Sequence, residues 1–214
     1  MERDDDVRVT DVCCLRTAVQ RDEMNQPDQD FRRDDLKRGM RQVFDQTLDE
    51  RVERYLEVAH QGIVPNHHFA GASSECIDLY RDGYALSAVM VSQAVAEGIW
   101  RFVLERNQVQ ADRDRPALAT TLVERRVLSA ECADAFSRIW RSFRNDVHHM
   151  NPSVSRVPFR ELARRNLLDL AAIEREIFAV SFDNGKLVPI QPRYWDLQPG
   201  GTTSVFLRNP WIGS

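Results

Sequence analysis

Residues 73–102 read SSECIDLYRDGYALSAVMVSQAVAEGIWRF. Ile77, Tyr80, Tyr84, Ala88, Val91, Val95, Gly98 and Phe102 recur along this stretch at a mean step close to one helical turn. The pattern predicts one amphipathic helix of about eight turns. Ser73 or Ser74 is suited to cap its start. Ala85, Ser87, Ala88, Ala94, Ala96 and Gly98 are small, so a second helix can approach closely. This segment is read as the backbone of a helical bundle.

The same period extends to both sides. Leu36, Met40, Phe44, Leu48, Val52, Tyr55 and Val58 predict a helix from Phe31 to about His60, broken by Gly62 and Pro65. Pro116 suits the first turn of a short helix running to about Leu128. Ser129 can cap the next, with Cys132, Phe136, Ile139, Trp140, Phe143 and Val147 on its inner face. Pro152 and Pro158 close that segment. Leu162, Leu167, Leu170, Ile173 and Ile177 then predict a helix from Phe159 to Phe178. Asp183-Asn184-Gly185 signals a turn, and Lys186 to Ile190 suits a short strand. Trp195, Phe206 and Trp211 are expected to pin the tail. The reading is all-α, a bundle of four or five helices with an irregular C-terminal tail that has room for a short β-hairpin. Residues 1–30 form a flexible acidic segment, 31–62 an N-terminal helix, 70–182 the bundle and 183–214 the tail.

Composition narrows the classes. The 214 residues are 43% hydrophobic and 29% charged, enough for a core and a wet surface. No apolar run approaches the roughly 18 residues of a membrane span. The opening MERDDDVRVT has no apolar core of a signal peptide. Cys13, Cys14, Cys76 and Cys132 are too few for a disulfide framework. They are read as reduced thiols, which suits the cytoplasm. The net charge of −4 argues against a basic coat over the whole surface. It is uneven: residues 1–35 carry 11 acids and 6 arginines, or −5, which leaves +1 for the remainder. Only Lys37 and Lys186 of the 29 basic residues are lysines. Arginine recognises phosphate well, because its planar fork bonds two oxygens at once.

The chemistry concentrates in Arg138-Ile-Trp-Arg141-Ser-Phe-Arg144-Asn145-Asp146-Val147-His148-His149-Met150-Asn151-Pro152. On a continuous helix Arg138, Arg141, Asn145 and His148 share one side, and Arg144 stands beside Arg141. Three arginines against Asp146 make a compact anion site on an acidic protein. Histidine adds a proton acceptor and donor near neutral pH, and arginine a fixed charge for a crowded phosphate. Together they suffice to cleave RNA without metal. The ribose 2′-hydroxyl attacks its own phosphate and leaves a 2′,3′-cyclic phosphate and a 5′-hydroxyl.

Arg144-Asn145-Asp146-Val147-His148-His149 resembles the R-N-x-x-x-H signature of the HEPN superfamily. The helix ending in Gln93-Ala94-Val95-Ala96-Glu97 is similar to that family's first core helix. The resemblance covers roughly residues 74–180. Composition alone gives about 0.6 matches to R-x4-H but about 0.02 once asparagine must follow the arginine. The resemblance implies a helical bundle, a homodimer that joins two motifs and, in many members, metal-independent RNase activity on single-stranded RNA. The biological settings it implies are toxin–antitoxin, antiphage or RNA-processing systems, so an antitoxin or defence protein is a candidate partner beside RNA. Arg144 is the implied phosphate-binding arginine, Asn145 its helper, His149 the catalytic histidine and Glu97 the acid facing the motif. No cofactor, metal or membrane is implied. Some family toxins carry a tyrosine two positions after the histidine as a nucleotidylation site. Asn151 stands there.

Local geometry and the family pattern differ on the histidine. His148 lies four residues from Arg144 and about 40° away on a helix, whereas His149 lies five away and about 140° round. Both hold if the helix frays before Pro152, or if Arg144 and His149 meet across a dimer. His149 is preferred, with His148, Arg141 and Arg138 as supporting RNA contacts. Three other readings stay open. The family-like domain binds a nucleotide, RNA or protein without cleaving anything. Glu97 is an ordinary surface acid. The His67-His68 doublet joins His148-His149 and a cysteine in a zinc site, or is a polar loop lining an RNA cleft. Tyr80, Tyr84 and Phe102 are read as core, not as a base-stacking platform.

Overall fold

The computed structural model describes residues 26–58, 60–111, 114–149 and 151–208, with the backbone alone at positions 26, 27, 144, 145 and 148. Cys13, Cys14 and Trp211 lie outside the described residues. The chain divides into two units, Met1–Thr47 and Leu48–Ser214. Helix α1 (Gln26–Leu56) begins in the first and ends in the second. In the first unit it carries the exposed pairs Lys37–Asp34 and Arg38–Asp35 at i,i+3, worth about 0.3 kcal/mol each. The expected apolar stripe of Leu36, Met40 and Phe44 is exposed there.

In the second unit, Arg51 and Arg54 hold the last turns of α1. Arg51 Nη1 lies 2.7 Å from Asp82 Oδ1, and Arg54 Nε donates to the Arg81 carbonyl at 2.8 Å. Both partners lie at the end of α2 (Ala70–Arg81), which follows β1 (Ile63–Pro65). After α2 comes α3 (Ala85–Arg106). The expected eight-turn helix is therefore two helices. Gly83 at φ +90° turns the chain between them, a conformation open to glycine at little cost. Tyr84, read as core, is 63% exposed. The helix start moves as well: Phe69 is the N-cap of α2, and Ser73 is buried inside it.

The order continues with α4 (Arg115–Glu124), α5 (Ala130–Trp140), α6 (Arg144–His149) and α7 (Phe159–Ile177). Asp114 caps α4 by accepting from the Ala117 N–H, with Pro116 in the first turn. Helix α4 ends earlier than expected, where Arg126 takes φ +55°. Ser129 caps α5 as its sequence predicts, accepting from the Cys132 N–H at 3.0 Å. Its hydroxyl also donates to Glu176.

Helix α3 packs against α2 and α7, and α7 against α5. Leu162, Leu167, Leu170, Ile173 and Ile177 are all buried on α7, each contributing roughly 1.5–3 kcal/mol by leaving water. A second cluster joins Val58, Tyr80, Val89, Val147 and Leu167.

The tail is less irregular than its sequence suggests. Strands β2 (Val180–Asp183) and β3 (Lys186–Pro189) form the hairpin that Asp183-Asn184-Gly185 predicts. Asn184 and Gly185 both have positive φ, which suits the twist of a tight hairpin. Strand β4 (Val205–Leu207) returns to pair antiparallel with β1, Val64 opposite Phe206. Local sequence did not show this pairing. The described residues are mostly helical, with two small antiparallel strand pairs. Trp195 and Tyr194 are buried and Phe206 half-buried, so this part of the tail is pinned.

Beside β4, Arg208 enters the core. Its guanidinium meets Glu174 at 2.5 and 2.6 Å and donates to Ser73 Oγ at 2.6 Å. Ser73 in turn donates to Glu174 at 2.7 Å. Burial pushes the Glu174 carboxyl up, but Arg208 and the nearby His60 outweigh it and hold the group down at about 2.

Candidate functional site

The R-N-x-x-x-H segment does not continue α5. That helix ends at Trp140, the chain turns through Arg141, Ser142 and Phe143, and α6 begins at Arg144. Phe143 takes φ +53°, a conformation that costs a residue with a β-carbon about 1–2 kcal/mol. Its N–H donates to the Arg141 carbonyl, and its own carbonyl accepts the first bond of α6 from Val147. The expected single face of Arg138, Arg141, Asn145 and His148 is therefore broken. Phe143, expected on the inner face, is 47% exposed.

A buried polar cluster holds this turn. Gln93 on α3 donates through Nε2 to the Ser142 carbonyl at 2.8 Å and to its Oγ at 2.9 Å. Asn166 on α7 donates to Ser142 Oγ at 3.2 Å and to Ser92 Oγ at 3.1 Å. Ser142 Oγ donates to the Ile139 carbonyl at 2.5 Å. Gln93 and Asn166 are only 1% and 2% exposed. Polar groups so deep are held by their bonds, and these bonds converge on one residue. Gln93 Oε1 is the exception, buried without a partner among the described residues.

Below the turn, Val147 anchors α6 in the core beside Val89 and Leu162. Asp146 fastens the far end. Its carboxylate accepts from Ser153 Oγ at 2.7 Å and Asn151 Nδ2 at 3.2 Å. These bonds, Ser153 first, hold its carboxyl below the usual range. Asn151 thus ties α6 to the 3-10 turn at Pro152–Arg156.

The expected site residues divide into groups. Arg144, Asn145 and His148 lie on α6, and their side chains lie outside the described atoms. His149 is exposed at the last position of α6. The helix runs through both histidines and ends at His149, before Pro152. Arg141 is exposed in the turn. Arg138 is committed to Asp169 through bonds of 2.7 and 3.1 Å, which raise its pKa. Glu97 lies between Arg101 Nε at 3.0 Å and Arg115 Nη2 at 2.5 Å. The Arg115 guanidinium also covers the Trp140 ring at 4.9 Å.

The His67-His68 doublet is not a polar lining. His67 sits among Phe69, Phe102 and Phe178, and its Nε2 donates to the Tyr194 carbonyl at 3.1 Å. His68 alone is exposed. Cys76 and Cys132 are buried free thiols, both pushed to higher pKa by desolvation. Among the described residues no group of three or more His, Cys, Asp or Glu could hold a metal ion, and no helix is long and apolar enough to cross a membrane. The Gln93–Ser142–Asn166 cluster was missed at the sequence level. Its only trace was polar residues on otherwise apolar faces.

No family model, curated protein or solved structure matches the chain.

Proposed function

We propose that the chain is a metal-independent endoribonuclease of HEPN type acting on single-stranded RNA. The observation that carries this reading is the position of the motif. It occupies its own short helix, with His149 exposed at the end and the preceding turn clamped from α3 and α7. Rigid support under an exposed acid–base residue is what catalysis requires. Positions 144 and 149 lie about 140° apart around α6. A second copy of the chain therefore completes the site, each Arg144 working with the other copy's His149.

In this reading His149 takes the 2′-hydroxyl proton and the 2′ oxygen bonds to phosphorus. The bond from phosphorus to the 5′ oxygen breaks, and that oxygen takes a proton from the second imidazolium. Arg144 holds the charge that builds on the phosphate, with Asn145, His148 and Arg141 as further RNA contacts. The resemblance implies a setting in toxin–antitoxin or antiphage defence, and cysteines read as reduced suit the cytoplasm.

One observation favours a non-catalytic module that binds nucleotide, RNA or a protein partner: Arg101 and Arg115 already engage Glu97. The deciding experiment incubates pure wild-type and His149→Ala protein with total RNA in EDTA and identifies the new ends. Cyclic phosphates formed by the wild type alone support the nuclease. Binding without turnover supports the rival, and cleavage that survives the substitution or needs divalent metal rejects the mechanism.

A further inference from the structure

Phe143 is out of place by every structural criterion. It belongs to neither core cluster, makes no aromatic ring contact with another described residue and is half exposed. Its backbone conformation suits glycine rather than phenylalanine. Strain of this kind persists only where the surroundings impose it, and it gathers at functional sites. Here the imposing structure is visible. Ser142, immediately before it, is held by Gln93 and Asn166 from two different helices. Val147, four residues after it, is fully buried and donates its N–H to the Phe143 carbonyl. The ring is displayed by a backbone held on both sides, at Ser142 and at Val147.

Its neighbours define what such a ring receives. Arg141, two residues before it, is exposed, and Arg144 is the next residue in sequence. A flat apolar face flanked by guanidinium-bearing residues matches the two halves of a nucleotide. The base stacks on the ring while the phosphate meets the cations. We propose that Phe143 is a stacking platform for an unpaired nucleobase next to the scissile phosphate, the residue that restricts the substrate to single-stranded RNA. This rests on the nuclease reading and extends it, because a base inside a duplex has no free face to offer.

The test uses the full chain and a fluorescent single-stranded 2′-O-methyl oligoribonucleotide, which has no free 2′-hydroxyl to attack. A second probe has the same backbone with abasic positions. Phe143→Gly is expected to bind the base-bearing probe about 10-fold more weakly than the wild type, and the abasic probe equally well. Phe143→Trp stays within about twofold of the wild type on both. Phe143→Gly should melt no lower than the wild type, which separates lost stacking from lost fold. Equal affinity of wild type and Phe143→Gly for the base-bearing probe overturns the platform. If cleavage still depends on His149 in that case, the nuclease reading survives alone. A wild-type protein that binds neither probe overturns both.

Discussion

Glu174 on α7 and Arg208, one residue beyond β4, form a two-point ion pair with both side chains almost fully buried. Removing one partner leaves the other charged in the core. Arg208→Ala should cost about 3–5 kcal/mol in urea unfolding near neutral pH. A loss below about 1 kcal/mol would contradict the pairing.

The same pair sets an acid limit. Glu174 is held at about 2 in the folded protein, against an ordinary carboxyl value of 4.5. Its contribution is present in full above 4.5 and disappears as pH falls through 2. The window is worth about 3 kcal/mol. Wild-type stability should fall between pH values of about 5 and 2, and Glu174→Gln should flatten part of that fall. Equal slopes for the two proteins would refute the assignment.

Ser142 is where bonds from α3 and α7 meet. Ser142→Ala removes the oxygen that both Gln93 and Asn166 reach. It should cost about 1–3 kcal/mol, because buried amide groups lose partners. Amide exchange should quicken at α6 before it does at α7. Unchanged protection across α6 would show that the cluster does not hold the turn.

His149 is exposed, so His149→Ala should change stability by less than about 0.5 kcal/mol. On the nuclease reading it should slow cleavage by about 10²–10⁴-fold, the range of a lost general acid–base group. A drop below about threefold in single-turnover cleavage would remove His149 from the chemistry.

Ser129→Ala should cost about 1 kcal/mol by thermal unfolding, as other N-cap losses do. Ser129→Asp, normally a good cap, should fail to restore stability. The reason is local: Ser129 also donates to the Glu176 carboxylate, and an aspartate there would face a like charge. Full restoration by aspartate would show that the Glu176 contact is unimportant.

What could be read in advance follows the range of the forces. The Ser129 cap, the Asn184-Gly185 hairpin and the buried face of α7 depend on neighbours in sequence, and their residues showed them. The break at Gly83 was legible too, yet the apolar period ran across it and outweighed one glycine. The turn at Phe143 left no local signal, because a phenylalanine adopts positive φ only when distant groups force it. Gln93 and Asn166, which do the forcing, are 49 and 24 residues from Ser142. The β1–β4 pair has the same character, since each strand is only three residues long. Of the candidate site, the motif was plain in the sequence. The clamp beneath it, the loss of Arg138 to Asp169 and the inward turn of His67 required the fold.

The pairing of β1 with β4 has a consequence for biogenesis. A nascent chain emerging from the ribosome exposes Ile63–Pro65 early but must wait for Val205–Leu207, about 140 residues later. Until then Glu174 has Ser73 and His60 beside it but no arginine to meet. Closure of this body thus waits for a strand and an arginine distant in sequence, and a polypeptide that stops short of Arg208 would leave Glu174 buried without its cationic partner.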